Sequence, residues 1–225
     1  MAVLSLSLSA PLPPLSSFLV RPVIPIYIAM SSFLIKSMGL AGLGIYVETK
    51  YSATLFASQT AGEMSPLIVA GPTILLSVGF FALVHGMKVG AARQKYKELA
   101  RKDGEKDVDL RYGLPNLYVD GNSKHARAFN TIQRSHQHIL ETYPSVILGS
   151  FLAAYQFPLC SALFSLLYAV GRITLSLSYA NSDGDPSKRY SNPMARLNWY
   201  GLLTLFLLGF ASGIKTLATV KFASK

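Results

Sequence analysis

The chain has 225 residues, of which 51% are hydrophobic and only 14% are charged. Soluble globular domains usually carry about a quarter charged residues, and a disordered chain needs a still more polar balance, so the composition argues against both classes. The single cysteine, Cys160, excludes a disulfide-stapled secreted module. The net charge of +10 therefore favours an integral membrane protein with a basic face over a nucleic-acid-binding domain.

The first predicted unit is an N-terminal extension, residues 1–62. Its opening is rich in Ser, Leu and Pro, and its first acidic residue is Glu48. This composition is typical of an organellar targeting peptide or an uncleaved signal-anchor; the alternative is an upstream extension of a shorter protein that begins at Met30. Residues 22–47 are apolar enough to touch a membrane, but Lys36 and several glycines and prolines argue against a fifth stable span.

Residues 63–225 are predicted to form an all-α membrane domain, a bundle of four transmembrane helices. A crossing helix needs about 20 mostly apolar residues. The windows that meet this requirement are 66–87, 139–160, 159–180 and 197–218. The second and third windows overlap around the sequence Gln156-Phe157-Pro158, so we expect a tight helical hairpin there.

The distribution of basic residues orients this bundle. Residues 88–138, between the first and second windows, hold 11 of the 21 basic residues. The connection after the third window returns to the same side and carries Lys188, Arg189 and Arg196. Both basic connections therefore share one face, which the positive-inside rule assigns to the cytoplasm.

A polar stripe enters the second window from its basic side, within the sequence FNTIQRSHQHILETYP at 129–144. Polar residues recur there at intervals of three and four, on one face of a helix: Asn130, Arg134, His138 (or Gln137) and Glu141. Because ionisable residues in a span are expensive, such a stripe marks a site that faces the bundle interior or a water-filled cavity. The alternative is an Arg134–Glu141 pair that is satisfied internally and only holds the bundle together.

The third window also contains an ionisable residue within a predicted span, which independently indicates a polar site. It contains Arg172, and Tyr179 follows seven residues later on the same helical face. Two helices thus offer cations, a carboxylate and a phenol at a similar depth near the basic side. A zwitterionic small molecule with several negative charges would suit that site.

These segments resemble the membrane-associated proteins in eicosanoid and glutathione metabolism, the MAPEG family, and are most similar to its type 3 microsomal glutathione S-transferases. The resemblance rests on the block at 129–144, on ARQKYK at 92–97 and on DPSKR at 185–189, which occur in the family's order. It covers about residues 66–217. It implies a four-helix subunit that acts as a homotrimer and binds glutathione between neighbouring subunits at the cytosolic end.

The resemblance also implies a role for individual residues. Those matched to glutathione-binding positions are Arg93, Arg134, His138, Glu141, Arg172 and Tyr179. Arg189, or its neighbour Lys188, matches the arginine that stabilises the thiolate. The chemistry agrees, because a thiol with a pKa near 8.5 is mostly protonated at neutral pH and a nearby guanidinium favours the anion. Arginines bind the ligand's carboxylates bidentately, while Glu141 pairs with its ammonium group.

Three features depart from the family pattern. His138 stands where asparagine is common, and Leu175 stands where close relatives usually have tyrosine, which removes one ligand contact. The connection from Tyr179 to Arg189 is longer than in relatives, so the choice between Lys188 and Arg189 stays open. No metal site is expected, because His136 and His138 are two residues apart and point to different sides of a helix.

The implied function is a glutathione transferase and peroxidase that acts on lipophilic electrophiles or lipid hydroperoxides from the bilayer. The alternative is a non-catalytic scaffold of the same family that binds lipid. The expected partners are glutathione, membrane lipid and two further copies of the chain, and no nucleic acid. The expected location is the endoplasmic reticulum membrane, with an organellar envelope or the mitochondrial outer membrane as alternatives because of the N-terminal extension.

Overall fold

In a computed structural model, the described residues are 24–55 and 65–223, and they are helical with no strand among them. This confirms the predicted all-α class. The α-helices in chain order are α1 (Ile24–Leu55), α2 (Ala70–Lys102), α3 (Val108–Arg111), α4 (Lys124–Gln156), α5 (Pro158–Ala180) and α6 (Leu197–Ala223). Short 3-10 turns at Pro66–Val69, Pro186–Tyr190 and Pro193–Arg196 precede α2 and join α5 to α6.

Helices α2, α4, α5 and α6 lie at the four predicted windows. Three stretches among the described residues are long and apolar enough to cross a membrane: Leu67–Lys102, Pro158–Ala180 and Pro193–Thr219. Helix α4 does not meet that standard, because its polar stripe lowers the hydropathy of its first half. Three of the four predicted spans are therefore supported, and the count of four stays a prediction.

The predicted hairpin is confirmed. Helix α4 ends at Gln156 and α5 begins at Pro158, so a single residue, Phe157, separates them. Proline suits the first turn of a helix, since its missing N–H has no intrahelical partner there. Two of the other free N–H groups, those of Leu159 and Cys160, donate to the carboxylate of Glu48 at 2.8 and 3.0 Å.

Helices α2 and α4 are longer than a bilayer requires. Each has 33 residues. At 1.5 Å per residue this is about 50 Å, against a hydrocarbon layer of about 30 Å. The main apolar core lies between the bundle helices. The last turns of α2 and the first turns of α4 pack with the segment between them around a second apolar core: Val89, Ala100, Val108, Tyr112, Val119, Ala126 and Phe129. We call residues 112–120 of that segment the strap.

Helices α5 and α6 pack so closely that their backbones are in contact at two glycines. A Cβ atom at Gly171 would lie 2.0 Å from the backbone nitrogen of Asn198, and one at Gly201 would lie 2.5 Å from that of Tyr168. Small residues that allow such close approach are the usual means of packing helices in membranes. The contact holds Gly171, which directly precedes Arg172, against the first turn of α6.

The N-terminal extension contains a helix that the glycines do not interrupt. Helix α1 runs unbroken from Ile24 to Leu55 and packs on α6 and α5. Its glycines therefore do not break the helix, and Gly44 lies against the Cys160 side chain. Helix α1 is not among the stretches of the described residues that are apolar enough to cross a membrane, and the expectation against a fifth stable span stays a prediction. The first 23 residues, with most of the predicted targeting segment, lie outside the described residues.

Candidate functional site

Arg134 and Glu141 contact each other along α4. The guanidinium donates to the carboxylate across two helical turns, and the two side chains are 42% and 49% exposed. The predicted alternative, a direct pair, is therefore correct as a contact. It links residues of one helix only, so it does not hold two helices together. Within a single chain this face of α4 is open, so Arg134 and Glu141 do not face the interior of the subunit. The other expected setting, a water-filled cavity, stays a prediction.

His138 turns inward and meets Arg172 of α5. The Arg172 side chain is almost fully buried, at 1% exposure. Its Nη2 lies 2.9 Å from Nδ1 of His138, and its Nη1 donates to the His138 carbonyl oxygen at 3.3 Å. A guanidinium can only donate, so Nδ1 must accept and the imidazole proton must sit on Nε2. The Nε atom of Arg172 has no hydrogen-bond partner among the described residues.

Tyr179 and Leu175, the other two α5 residues considered in the sequence, differ in their exposure. Tyr179 lies two turns beyond Arg172, about 10 Å along the helix axis, and is half-buried near the basic end. Leu175 is only 2% exposed and packs inside the bundle. Position 175 therefore supplies no polar group to the site, in keeping with its departure from the family pattern.

Arg189 and Lys188 point to different places. The Arg189 guanidinium carbon lies 5.1 Å from the centre of the Tyr190 ring, and the Tyr190 hydroxyl accepts a 2.9 Å bond from Nε1 of Trp199. The Trp199 ring centre is 6.3 Å from that of His138. Arg189 thus connects to the His138–Arg172 pair through two aromatic side chains. Lys188 instead lines an open polar groove beside the outer face of α5, with Thr174, Ser178 and Asn181.

The turn that carries both cations is capped by Asp185. Its Oδ1 accepts from the backbone nitrogen of Ser187 at 3.0 Å and from the Ser187 hydroxyl at 2.7 Å. These hydrogen bonds, with the nearby charge of Lys188, lower the pKa of the Asp185 carboxyl below its usual value. The cap is therefore ionised at neutral pH, where it fixes the start of the Pro186–Tyr190 turn.

Arg93 lies on α2, where the sequence places it, but it is engaged with the strap. Its Nη1 donates to the carbonyl oxygen of Tyr112 at 3.4 Å, and its Nη2 donates to that of Leu117 at 3.2 Å. The guanidinium carbon also sits 4.5 Å from the centre of the Phe129 ring. Both terminal nitrogens of this predicted glutathione-binding residue thus donate to the chain's own backbone.

The structure adds two polar residues that the sequence reasoning missed. The Tyr118 hydroxyl contacts the side-chain oxygen of Gln137 and interacts with Arg134, so the strap reaches the polar face of α4. No periodic pattern in a connecting segment could have indicated this. His85 is buried in α2, with Nε2 2.6 Å from the Ser135 hydroxyl. A histidine within a span that otherwise lacks charges was a signal that could have been followed.

Comparison with known proteins gives a match that spans most of the helical bundle. The MAPEG family model matches residues 70–211, more than half of the chain, and the match includes every site residue discussed above. No solved structure matches the chain. Proteins of this family lie in membranes and use glutathione, and three helices of the chain are apolar enough to cross a bilayer. The protein is therefore an integral membrane protein, and it belongs to the MAPEG family.

Proposed function

We propose that the protein is a membrane-bound glutathione transferase and peroxidase, which conjugates glutathione to lipophilic electrophiles or reduces lipid hydroperoxides. The observation that supports this most is that two pairs of polar side chains lie close together near the basic end of a MAPEG-family chain. One is the exposed Arg134–Glu141 pair on α4, and the other is the His138–Arg172 contact between α4 and α5.

In this proposal the Arg134–Glu141 pair exchanges partners when glutathione binds. Arg134 turns to a carboxylate of the ligand, and Glu141 turns to its ammonium group, so each charge keeps an opposite charge. The exchange costs little, because a half-exposed ion pair contributes only about 0–1 kcal/mol. Glutathione offers both required charges in one molecule, together with the thiol.

The open face of α4 supports the proposal that the site is completed by a neighbouring subunit of a homotrimer. An ion pair that faced hydrocarbon would be expensive. A second copy would cover the pair and supply the opposite wall of the site. We place this trimer in the endoplasmic reticulum membrane with both basic connections toward the cytosol, as the positive-inside rule directs.

Arg189 is the proposed thiolate-stabilising residue. The bound thiol loses its proton to water, and the guanidinium beside the sulfur holds the resulting anion. The thiolate then attacks an electrophilic carbon to form a thioether. In a substitution the bond to the leaving group breaks and that group departs as an anion, as chloride does from 1-chloro-2,4-dinitrobenzene; in an addition the π bond breaks and the neighbouring carbon takes a proton from water. With a hydroperoxide it attacks the terminal oxygen, so the O–O bond breaks and the alkoxide takes a proton to leave as an alcohol. A second glutathione displaces hydroxide from the resulting sulfenic acid, which gives the disulfide and water.

A non-catalytic scaffold that binds lipid is the second candidate. The observation that favours it is Leu175, which is buried and puts no phenol at a position where close relatives usually have one. The scaffold keeps the family fold but does not need a reactive thiolate. The two candidates therefore differ in turnover, whatever their binding properties.

The test uses the purified full-length protein in detergent. Glutathione binding is measured by calorimetric titration, conjugation with 1-chloro-2,4-dinitrobenzene, and peroxidase activity with cumene hydroperoxide. Binding with turnover on either substrate supports the enzyme, whereas binding without turnover favours the scaffold. Absence of binding contradicts the proposed function. Lys215→Ala, an exposed change at the far end of α6, is the matched control and should behave as the unmodified protein.

A further inference from the structure

The strap is held on both sides of Tyr118. On one side, Arg93 donates to the carbonyl oxygen of Leu117 at 3.2 Å. On the other side, the Asn130 amide makes two bonds with Val119, accepting from its N–H and donating to its carbonyl, both at 2.9 Å. Val119 itself is 2% exposed, in the second core. The backbone at residue 118 is therefore fixed by its immediate neighbours.

This anchoring delivers the phenol of Tyr118 to the polar face of α4. The hydroxyl contacts the side-chain oxygen of Gln137 and interacts with Arg134. A phenol has one proton, which it donates to the Gln137 oxygen, and its own oxygen is left to interact with the guanidinium. Tyr118 remains 39% exposed. It is thus both positioned by the fold and accessible to a ligand of Arg134.

We propose that Tyr118 is a ligand-binding residue of this site, which donates a hydrogen bond to the glutathione carboxylate held by Arg134. This inference rests on the proposed function. When Arg134 leaves Glu141 for the ligand, the phenol can exchange the neutral Gln137 oxygen for a carboxylate oxygen. A hydrogen bond to an ionised acceptor is the stronger of the two, so the exchange favours binding. Arg93 then acts as a positioning residue, through the strap, and does not itself contact the ligand.

The first test compares Tyr118→Phe with the unmodified full-length protein in glutathione titrations. The substitution removes one hydroxyl and should raise the dissociation constant about tenfold or more. The control Tyr155→Phe, at an exposed position near the end of α4, should leave it unchanged. Thermal unfolding and tryptic cleavage at Arg111 should also be unchanged in Tyr118→Phe. Unchanged affinity would overturn the inference, and so would a loss of affinity that comes with a loosened strap.

Glutathione monoethyl ester, with its glycyl carboxylate blocked, identifies the contacted group. If Tyr118 binds that carboxylate, Tyr118→Phe should weaken the ester much less than glutathione. An equal loss for both ligands assigns the contact to the γ-glutamyl carboxylate and still supports the role of Tyr118. If the unmodified protein binds no glutathione, the proposed function itself fails. If the unmodified protein and Tyr118→Phe bind glutathione equally well, only the inference about Tyr118 fails.

A double-mutant cycle tests the part of the inference that concerns Arg93. If Arg93 acts only through the strap, the single variant Arg93→Ala should weaken glutathione binding. The same change made in Tyr118→Phe should then cause no further loss of affinity. If Arg93 contacts the ligand directly, the two losses should multiply, and the positioning role is overturned. A dissociation constant that Arg93→Ala does not change also overturns it.

A different observation concerns α1. The helix meets the bundle at opposite ends: the Phe33 ring lies 5.0 Å from that of Tyr200 in the first turn of α6, and Glu48 accepts from Leu159 and Cys160 in the first turn of α5. Because α5 and α6 run in opposite directions through the bilayer, these contacts lie near its opposite sides. The fifteen helical steps from Phe33 to Glu48 extend about 22 Å, most of a hydrocarbon layer of about 30 Å.

The two faces of α1 suit this position. The packed face is small or polar, with Ser37, Ala41 and Glu48 all buried. The carboxylate of Glu48 is only 3% exposed and is satisfied by two N–H groups at a positive helix end. The outer face carries large exposed apolar side chains: Leu34, Ile35, Met38, Leu43, Tyr46 and Val47. Lys36 lies one turn from the basic end, where its ammonium can extend toward water.

We infer that α1 crosses the membrane with the bundle, its outer face against lipid acyl chains. The N-terminal end of α1 then lies on the same side as the two basic connections. The test uses the full chain with Cys160→Ser in sealed vesicles and an impermeant maleimide. Single cysteines are introduced by Arg21→Cys, Ser187→Cys in the basic connection and Thr219→Cys at the far end of α6. Labelling of Arg21→Cys from the same side as Ser187→Cys supports the inference, and labelling from the side of Thr219→Cys overturns it.

Discussion

At the scale of single residues, the site depends on a few buried donors whose acceptors are fixed. Arg172 is the clearest case, because its guanidinium is buried and His138 accepts one of its hydrogen bonds through Nδ1. Asparagine, the residue common at position 138 in the family, also offers an acceptor. Leucine does not, and it would leave that donor of a buried cation without its partner.

We therefore expect His138→Leu to lower the free energy of unfolding by about 2 kcal/mol, and His138→Asn to lower it by much less. Thermal unfolding of the two variants in the same detergent measures the difference. Equal stability of both variants would show that the Nδ1 contact contributes nothing. Glutathione affinity should follow the same order, because Arg172 keeps its orientation only where an acceptor remains.

Arg189 should act on the reactivity of glutathione more than on its affinity. A group that contacts mainly the sulfur anion stabilises the reactive state more than the bound thiol. Arg189→Ala should therefore reduce the ultraviolet thiolate absorbance of bound glutathione at neutral pH. It should also shift the appearance of that signal upward, toward the thiol's ordinary pKa of about 8.5.

Lys188→Ala is the necessary comparison for Arg189, since the two cations are neighbours on one turn. Lys188 lines the groove beside Thr174 and Ser178, away from His138, so its removal should leave the thiolate signal in place. Loss of the signal in Lys188→Ala alone would move the role to that residue. An unaffected signal in both variants would contradict thiolate stabilisation by this turn.

At the scale of helices, the sequence predicts those elements whose apolar residues form a long or periodic pattern. It does not predict segments whose path depends on contacts with distant parts of the chain. Three apolar windows correspond to helices able to cross a membrane, and the hairpin lies at the expected turn. The stripe at Arg134, His138 and Glu141 followed from spacing alone. The strap could not be predicted, since its path depends on Arg93 and Asn130, which are far from it in sequence. The continuity of α1 likewise depends on contacts with α5 and α6.

The close packing of α5 on α6 gives a prediction with an internal control. Gly201→Ala places a methyl group 2.5 Å from the backbone of Tyr168, so the helices must separate. We expect a loss of about 1–3 kcal/mol of stability. Gly213→Ala, on the same helix, meets open space and should be neutral. Unfolding temperatures compare them directly, and equal values would contradict the backbone contact.

At the scale of the whole molecule, the open polar face of α4 predicts an oligomer. A trimer would cover the Arg134–Glu141 pair without any change in the subunit fold. Light scattering with correction for bound detergent should give a protein mass three times that of the 24.4 kDa chain. A mass of one chain, for protein that binds glutathione, would contradict completion of the site by a neighbour.

Titration of Arg134→Ala and Glu141→Ala with glutathione asks whether the polar face of α4 binds this ligand. Each variant loses a charge-assisted contact in a site that becomes partly desolvated on binding. Loss of about 2 kcal/mol raises the dissociation constant about thirtyfold. We expect this loss in both variants while they keep the mass and unfolding temperature of the unmodified protein. Unmodified affinity for glutathione in both folded variants would contradict it, and would leave the pair as a surface ion pair with no part in binding.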